Sequence, residues 1–278
     1  MKDPVREATE RLRAAKLLSA RADARILWRH AEGRDDVFQQ FIARRLSHEP
    51  VAYITGHKEF WSLDFDVGPG VLIPRPETET LVEQALRELG DRTRSYRLLD
   101  LGTGSGCLLI ALLKELSNAT GIGVDASADA LAVASTNLLR HGLVNRAALV
   151  AGGWDAAPGQ FDLIVANPPY VRSGDLQALP PDVRDNEPKE ALDGGPDGLD
   201  AYRSLAFLLP RYLSSTGIAL LEIGAGQHQV VGLMEAAGLV LFRIVPDLAG
   251  IPRCLVVGLG RGLERLAQKK IGNRGPTR

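Results

Sequence analysis

The sequence predicts an α/β protein: a mostly parallel sheet wrapped by helices on both faces, preceded by a small helical bundle and a β-hairpin. Three observations predict it. From residue 78 onward, short apolar runs alternate with stretches of helical periodicity, as in strand–helix–strand units. A glycine loop, Asp100-Leu101-Gly102-Thr103-Gly104-Ser105-Gly106, lies between one such run and the helical stretch after it. Finally, the buried-strand run Phe161-Asp162-Leu163-Ile164-Val165-Ala166 stops at Asn167-Pro168-Pro169-Tyr170.

The elements follow in order. Residues 1–57 read as short helices. Asp3 can cap the first, with Pro4 at its opening position and Val5, Ala8, Leu12 and Ala15 on one face. A second begins near Ser19, carries Ala24, Leu27 and Trp28, and stops at Gly33. A third follows an Asp35 or Asp36 cap and presents Val37, Phe41, Ile42 and Leu46. Helices this short do not hold alone in water, so they are expected to pack as a bundle. Arg11, Arg13, Arg21, Arg25, Arg29, Arg44 and Arg45 tint it basic, for the most part as a solvated face.

Residues 58–76 are expected to form a hairpin joining two domains. The run from Phe60 to Val67 alternates like a strand, Gly68-Pro69-Gly70 is the turn, and Val71-Leu72-Ile73 leads into Pro74-Arg75-Pro76-Glu77-Thr78-Glu79. Residues 77–260 carry the alternating pattern. Helices are expected near 81–89, 107–116, 127–141, 199–209 and 229–237. Strands are expected near 96–101, 121–124, 147–150, 161–166 and 218–223, with a closing antiparallel pair at 239–245 and 254–258. Residues 261–278 are basic and read as a frayed tail.

Composition excludes several classes of function. The 278 residues are 45% apolar and 24% charged, a globular soluble balance. A net charge of −1 gives no field that favours nucleic acid or an anionic membrane. Met1-Lys2-Asp3-Pro4 lacks the apolar centre of a signal peptide, and no apolar stretch approaches membrane-spanning length. Cys107 and Cys254 have no metal or redox spacing. A cytoplasmic protein with reduced thiols is expected, with no membrane or stable nucleic-acid partner, and as a monomer.

The glycine loop points to a cofactor. Glycines between a strand and a helix let the backbone approach a ligand closely. A dinucleotide fingerprint needs a third glycine where this chain has Cys107, and no Gly-Lys-Ser/Thr phosphate loop is present. What remains is Asp-x-Gly-x-Gly-x-Gly with Asp125 at the tip of the next strand, placed to accept hydrogen bonds from both hydroxyls of a ribose. That arrangement suits S-adenosylmethionine, which has a ribose and an adenine but no phosphate. Asp193-Gly194-Gly195-Pro196-Asp197-Gly198 imitates the start of a calcium loop. It has Gly195 and Ser204 where ligands are required, so no metal is assigned.

With these motifs in place, the chain resembles the release-factor glutamine N5-methyltransferases among the Rossmann-like class I methyltransferases. The resemblance spans nearly all of residues 1–260. It rests on Glu49-Pro50-Val51-Ala52-Tyr53-Ile54-Thr55-Gly56, Glu59-Phe60-Trp61, and the segment from Leu72 to Glu79. The glycine loop, Asn167 to Tyr170, Glu187-Pro188, Ala191 to Gly195 and Asp247 to Arg253 carry the rest. The chain departs at Val183-Arg184-Asp185-Asn186-Glu187, which lacks an aromatic residue before the Glu-Pro pair. The resemblance implies a cofactor site lined by Gly102, Thr103, Gly104, Ser105, Gly106, Asp125, Trp154 and Asn167. It also implies that Asn167, Pro168, Pro169 and Tyr170 hold the glutamine of the Gly-Gly-Gln motif of class 1 peptide release factors. Residues 1–57 would grip that protein substrate.

The hook suits an amide. A carboxamide nitrogen is a poor nucleophile, and Asn167 Oδ1 with the Pro168 carbonyl can accept its two hydrogens. Two acceptors align the nitrogen and favour the positive charge that grows on it. The prolines stiffen the hook and Tyr170 can flank the planar group. Three alternatives stay open: a glutamine methyltransferase of a ribosomal protein, an adenine-N6 methyltransferase of nucleic acid, and a cofactor-binding adaptor without catalysis.

Overall fold

The computed structural model describes residues 3–260, and the basic tail expected at 261–278 lies outside the described residues. At the start, Asp3 Oδ1 accepts from Val5 N and Arg6 N at 3.0 and 3.3 Å, opening α1 (Pro4–Ala14). With α2 (Ala20–His30), α3 (Asp35–Leu46) and α4 (Val51–Thr55) it packs around Leu12, Leu27, Phe38 and Ile42. Three details differ from expectation. Asp35 and Asp36 sit inside the first turn of α3, whose cap is Arg34, so they favour the positive helix end as charges and not as caps. Phe38 is the deeply buried ring, met edge-on by Trp28 at 5.0 Å. Arg45 is buried as well, with Nε 2.8 Å from Asp23 Oδ2, because a buried guanidinium persists only when paired.

The hairpin turns earlier than expected. β1 (His57–Phe60) pairs antiparallel with β2 (Leu63–Asp66), so the turn is Trp61-Ser62 and not Gly68-Pro69-Gly70. Both turn residues have positive φ, 53° and 57°, as a two-residue type I′ turn requires. Carboxylates hold this costly geometry. Glu79 Oε1 accepts from Trp61 N at 2.8 Å, Glu59 Oε1 from Ser62 N at 2.6 Å, and Glu115 Oε1 from the Trp61 indole at 2.9 Å. Residues 71–75 are irregular and lead through a single 3₁₀ turn, Pro76–Thr78, into α5 (Glu79–Leu89).

The chain then alternates: β3 (Arg97–Leu101), α6 (Cys107–Glu115), β4 (Thr120–Asp125), α7 (Ala128–Arg140), β5 (Ala147–Ala151) and β6 (Phe161–Ala166). A short α8 (Pro181–Arg184) precedes α9 (Asp200–Tyr212), β7 (Leu213–Glu222), α10 (Gln229–Ala236), β8 (Val240–Pro246) and β9 (Pro252–Gly258). The described sheet has seven strands in the order β5-β4-β3-β6-β7-β9-β8. Its first five are parallel, and β9 runs antiparallel to both β7 and β8. Side chains alternate between faces, so Leu98, Leu163 and Leu220 join one core, and Leu99, Ile164 and Leu221 the other. The first core includes residues of α5, α6, α7 and the hairpin; the second includes residues of α9 and α10.

Strand order decides where a ligand can sit. From β3 the chain moves outward through β4 to β5, then returns to β6 on the other side of β3. The carboxyl ends of β3 and β6 therefore flank a switch-point crevice. Asn137 of α7, fully buried, braces the floor of this region. Its Nδ2 donates to Ser105 O and Asp66 O at 2.9 and 3.0 Å, and its Oδ1 accepts from Asp66 N at 2.8 Å. Hairpin, glycine loop and α7 are thereby tied together.

Candidate active site

A cavity of about 430 Å³ opens at this crevice, within the usual range for small-molecule sites. Gly102, Thr103, Gly104, Ser105, Asp125 and Trp154 line it, with Asn167 and Pro169 at one end. The glycine loop takes its shape from positive φ at Gly102 and Gly104, 70° and 54°. A Cβ on Gly102 would lie 3.3 Å from the Trp154 ring, and one on Gly104 would meet only open space. Gly106 does not line the cavity; a Cβ there would press on Ile110 and Ala134. Its part is to let the loop turn into α6.

Asp125 is held from the protein side only. Oδ2 accepts from Gly104 N at 2.8 Å and Oδ1 from Ser127 N at 2.9 Å. A carboxylate has about four acceptor positions, so lone pairs remain for a diol. Beneath the loop, Asp100 Oδ2 accepts from Thr103 Oγ1 at 2.7 Å, and its buried Oδ1 has no hydrogen-bond partner among the described residues. Burial pushes the Asp100 carboxyl up to about 7. A loop opened by Gly102 and Gly104, the Trp154 ring and the remaining lone pairs of Asp125 fit a nucleoside. Burial also pushes the Cys107 thiol up to about 12, which disfavours the thiolate at this cavity residue.

The hook is positioned by two neighbours that sequence reasoning did not single out. Asn167 Nδ2 donates to Thr78 Oγ1 at 3.1 Å, and Thr78 Oγ1 donates to Glu222 Oε2 at 2.6 Å. Asn167 Oδ1 takes no hydrogen bond from a described residue. Pro168 is buried and does not line the cavity. Tyr170 does not line it either; its hydroxyl points to Glu222 Oε1, 3.4 Å away. Behind the hook, Gly194 N donates to Val171 O at 2.7 Å and Gln227 Nε2 to Tyr170 O at 3.0 Å. The stretch that imitates a calcium loop is thus a brace. Asp193 Oδ1 accepts there from Ser173 Oγ and Gly195 N at 2.6 and 3.0 Å.

Comparison with known proteins is decisive for the family. The chain is 44% identical over 265 residues to the release factor glutamine methyltransferase of Rhodospirillum rubrum, covering 88% of this chain and 81% of that one. The chain belongs to the release factor glutamine methyltransferase family. It is 42% identical over 272 residues to the Bradyrhizobium diazoefficiens member, covering 90% of this chain and 92% of that one. The family model described as methyltransferase small domain matches residues 77–179. A solved methyltransferase from Pyrococcus furiosus shares the fold at 18% identity, with a TM-score of 0.51 over 77% of this chain and 95% of that one. The expected Rossmann-like class I methyltransferase sheet is therefore what this chain forms.

In this family member the rest of the site comes from the segment before α5 and the loop after the hook. Leu72, Pro74, Arg75, Thr78, Pro188, Glu190 and Ala191 also line the cavity. Glu187, buried, accepts from Ile73 N at 3.1 Å and from Arg75 Nη2. Burial raises the Glu187 carboxyl against the lowering pull of Arg75. Asn186 Nδ2 donates to His48 O at 3.2 Å, and Arg45 Nη2 lies 3.6 Å from Asp182 Oδ2. The loop that departs from the family pattern at Val183–Glu187 is therefore fastened to the helical bundle by polar contacts.

Proposed function

We propose that the protein transfers a methyl group from S-adenosylmethionine to the side-chain amide nitrogen (N5) of the glutamine in the Gly-Gly-Gln motif of class 1 peptide release factors. The observation that carries this reading is Asn167. Its NH2 group is spent on Thr78, so the amide oxygen is left as an acceptor at the end of the cavity that Asp125 and the glycine loop line. S-adenosylmethionine, when bound, supplies an electrophilic methyl group on sulfonium. Gly102, Thr103, Gly104, Ser105, Asp125 and Trp154 would hold it.

The chain's own residues do the rest. Asn167 Oδ1 accepts one hydrogen of the substrate amide, while Pro168, buried and off the cavity wall, stiffens the hook. This fixes the nitrogen and favours the positive charge it acquires. Pro169 contributes wall and stiffness, and Tyr170 holds Glu222 from behind. No strong base is demanded of the site, because a methylated amide nitrogen sheds its extra proton to water. Residues 1–57 are proposed to grip the release factor, and their contacts with Asp182 and Asn186 give that grip a mechanical route to the cavity.

A monomer in the cytoplasm, with no stable nucleic-acid partner, completes the proposal. Among the described residues no helix is long and apolar enough to cross a membrane. The test is transfer of labelled methyl from S-adenosylmethionine to purified release factor, run beside ribosomal proteins and duplex DNA. Label on release factor alone supports the reading, and label on another acceptor replaces it.

A further inference from the structure

We propose that Glu222 is a positioning residue for methyl transfer: through the Thr78 hydroxyl it dictates which atom of the Asn167 amide faces the substrate. The proposal rests on the reading of Asn167 as the amide holder. Glu222 ends β7 on the same sheet edge as the hook and is 1% exposed. An ionised carboxylate has no proton to give, so Thr78 Oγ1, 2.6 Å away, must spend its single proton on Glu222. Thr78 can then only accept from its other neighbour. The Asn167 group 3.1 Å away must be the NH2, and Oδ1 is forced to the cavity side.

Without the carboxylate the chain can run backwards. A neutral acid or amide at position 222 can donate to Thr78, whose hydroxyl then donates to Asn167 Oδ1. The Asn167 NH2 would turn to the cavity and oppose the two N–H groups of a substrate amide. Donor would face donor, and alignment would be lost while the cavity kept its shape. A buried carboxylate is an expensive way to anchor a threonine if only packing is needed, since a glutamine fills the same space without desolvating a charge. The direction of the hydrogen bonds is what the charge adds.

Tyr170 contacts Glu222 Oε1, and Tyr202 donates to the Glu222 backbone oxygen at 2.8 Å. Arg253 of β9 favours the ionised form, Glu77 opposes it, and Cys254 and Cys107 feel its charge. Burial dominates and pushes Glu222 up to about 7, so the carboxylate is lost as pH falls through neutrality. Asp100 titrates in the same range but belongs to the glycine loop.

The experiment compares wild type, Glu222→Gln, Thr78→Val and Thr78→Ser in single-turnover methylation of intact release factor, with saturating S-adenosylmethionine and across pH. The wild-type rate should fall on the acid side of about pH 7. Glu222→Gln and Thr78→Val should be slower by roughly tenfold or more at neutral pH, the scale of a lost preorganised contact. Glu222→Gln should also lose the acid limb, and Thr78→Ser should keep most of the rate. Cofactor dissociation constants by calorimetry should stay within about twofold of each other. The Ser and Val pair decides the matter if Glu222→Gln does not fold. Wild-type rates in Thr78→Val, or an acid limb that survives in Glu222→Gln, would overturn the proposal. So would rates that fall only in step with cofactor affinity. A wild type that leaves release factor unmethylated overturns the functional reading itself, whereas equal activity in wild type and variants overturns only the relay.

Discussion

Replacing Asp125 with alanine isolates cofactor binding from every later event. Its two oxygens each accept one backbone N–H, from Gly104 at 2.8 Å and Ser127 at 2.9 Å, and keep free lone pairs for a diol. Alanine removes both backbone bonds, but those N–H groups border a cavity that water enters. Stability should therefore fall by only about 1–2 kcal/mol. The diol loses a charged acceptor for each hydroxyl and recovers water in exchange, which sets the loss of affinity at roughly 1.5–3 kcal/mol. That corresponds to a dissociation constant raised roughly ten- to 150-fold. Asp125→Asn should fall between, since its NH2 must face one of the two backbone donors while one oxygen survives. Calorimetric titration with S-adenosylhomocysteine reads the affinity without turnover, and a melting curve reads the fold. A folded Asp125→Ala protein whose affinity stays within about twofold of wild type would remove Asp125 from the site and break the assignment of the glycine loop.

Asn167→Ala should leave cofactor affinity intact and slow methyl transfer on the order of a hundredfold or more, read as a single-turnover rate. Asn167→Asp retains an acceptor at the cavity but turns a second carboxylate toward Thr78, whose one proton already serves Glu222. It should be nearly as slow as alanine, and a rate close to wild type would count against the geometry at Thr78. Glu187→Ala frees Arg75 and leaves the Ile73 N–H unpaired, a loss of about 1–3 kcal/mol in denaturant unfolding, with weaker binding of release factor. Equal stability would show the clasp to be idle. The pH dependence of stability follows from carboxyls raised by burial. Their contribution is full below the ordinary carboxylate range and is lost as pH rises through about 7, for both Asp100 and Glu222. Burial lowers His141, which works in the opposite direction below neutrality but is shared by the variant. Melting temperature should drop between about pH 4 and pH 7 and level off above that, less in Glu222→Gln than in wild type. Parallel curves would contradict the titration of Glu222.

What the sequence made legible is what lies close together along the chain. Asp100 to Gly106, Asp125 at the next strand end, and Asn167 after a buried run each announce a local geometry, and the parallel sheet gathers their ends. The partners of Asn167 were hidden by distance: Thr78 lies 89 residues before it, and Glu222 lies 144 after Thr78. Only the placement of β7 beside β6 brings them to one point. The hairpin failed for a different reason. Gly68-Pro69-Gly70 carries the usual turn residues, whereas Trp61-Ser62 turns because Glu79 and Glu115, well downstream, hold the Trp61 amide and indole. Arg45 was read as solvated because its partner Asp23 sits on another helix, 22 residues earlier. Tyr170 looked like a substrate contact by its place in the tetrapeptide, and the turn after Pro169 aims it at Glu222 instead.

The central claim is that Asn167 presents an acceptor to the glutamine amide of a protein substrate. Its most direct measurement is tandem mass spectrometry of purified class 1 release factor after incubation with this protein and isotopically labelled S-adenosylmethionine, with Asn167→Ala in parallel. The account predicts one labelled methyl group on the side-chain nitrogen of the Gly-Gly-Gln glutamine with wild type, and almost none with Asn167→Ala. Label on another residue, or equal labelling by both proteins, would contradict it.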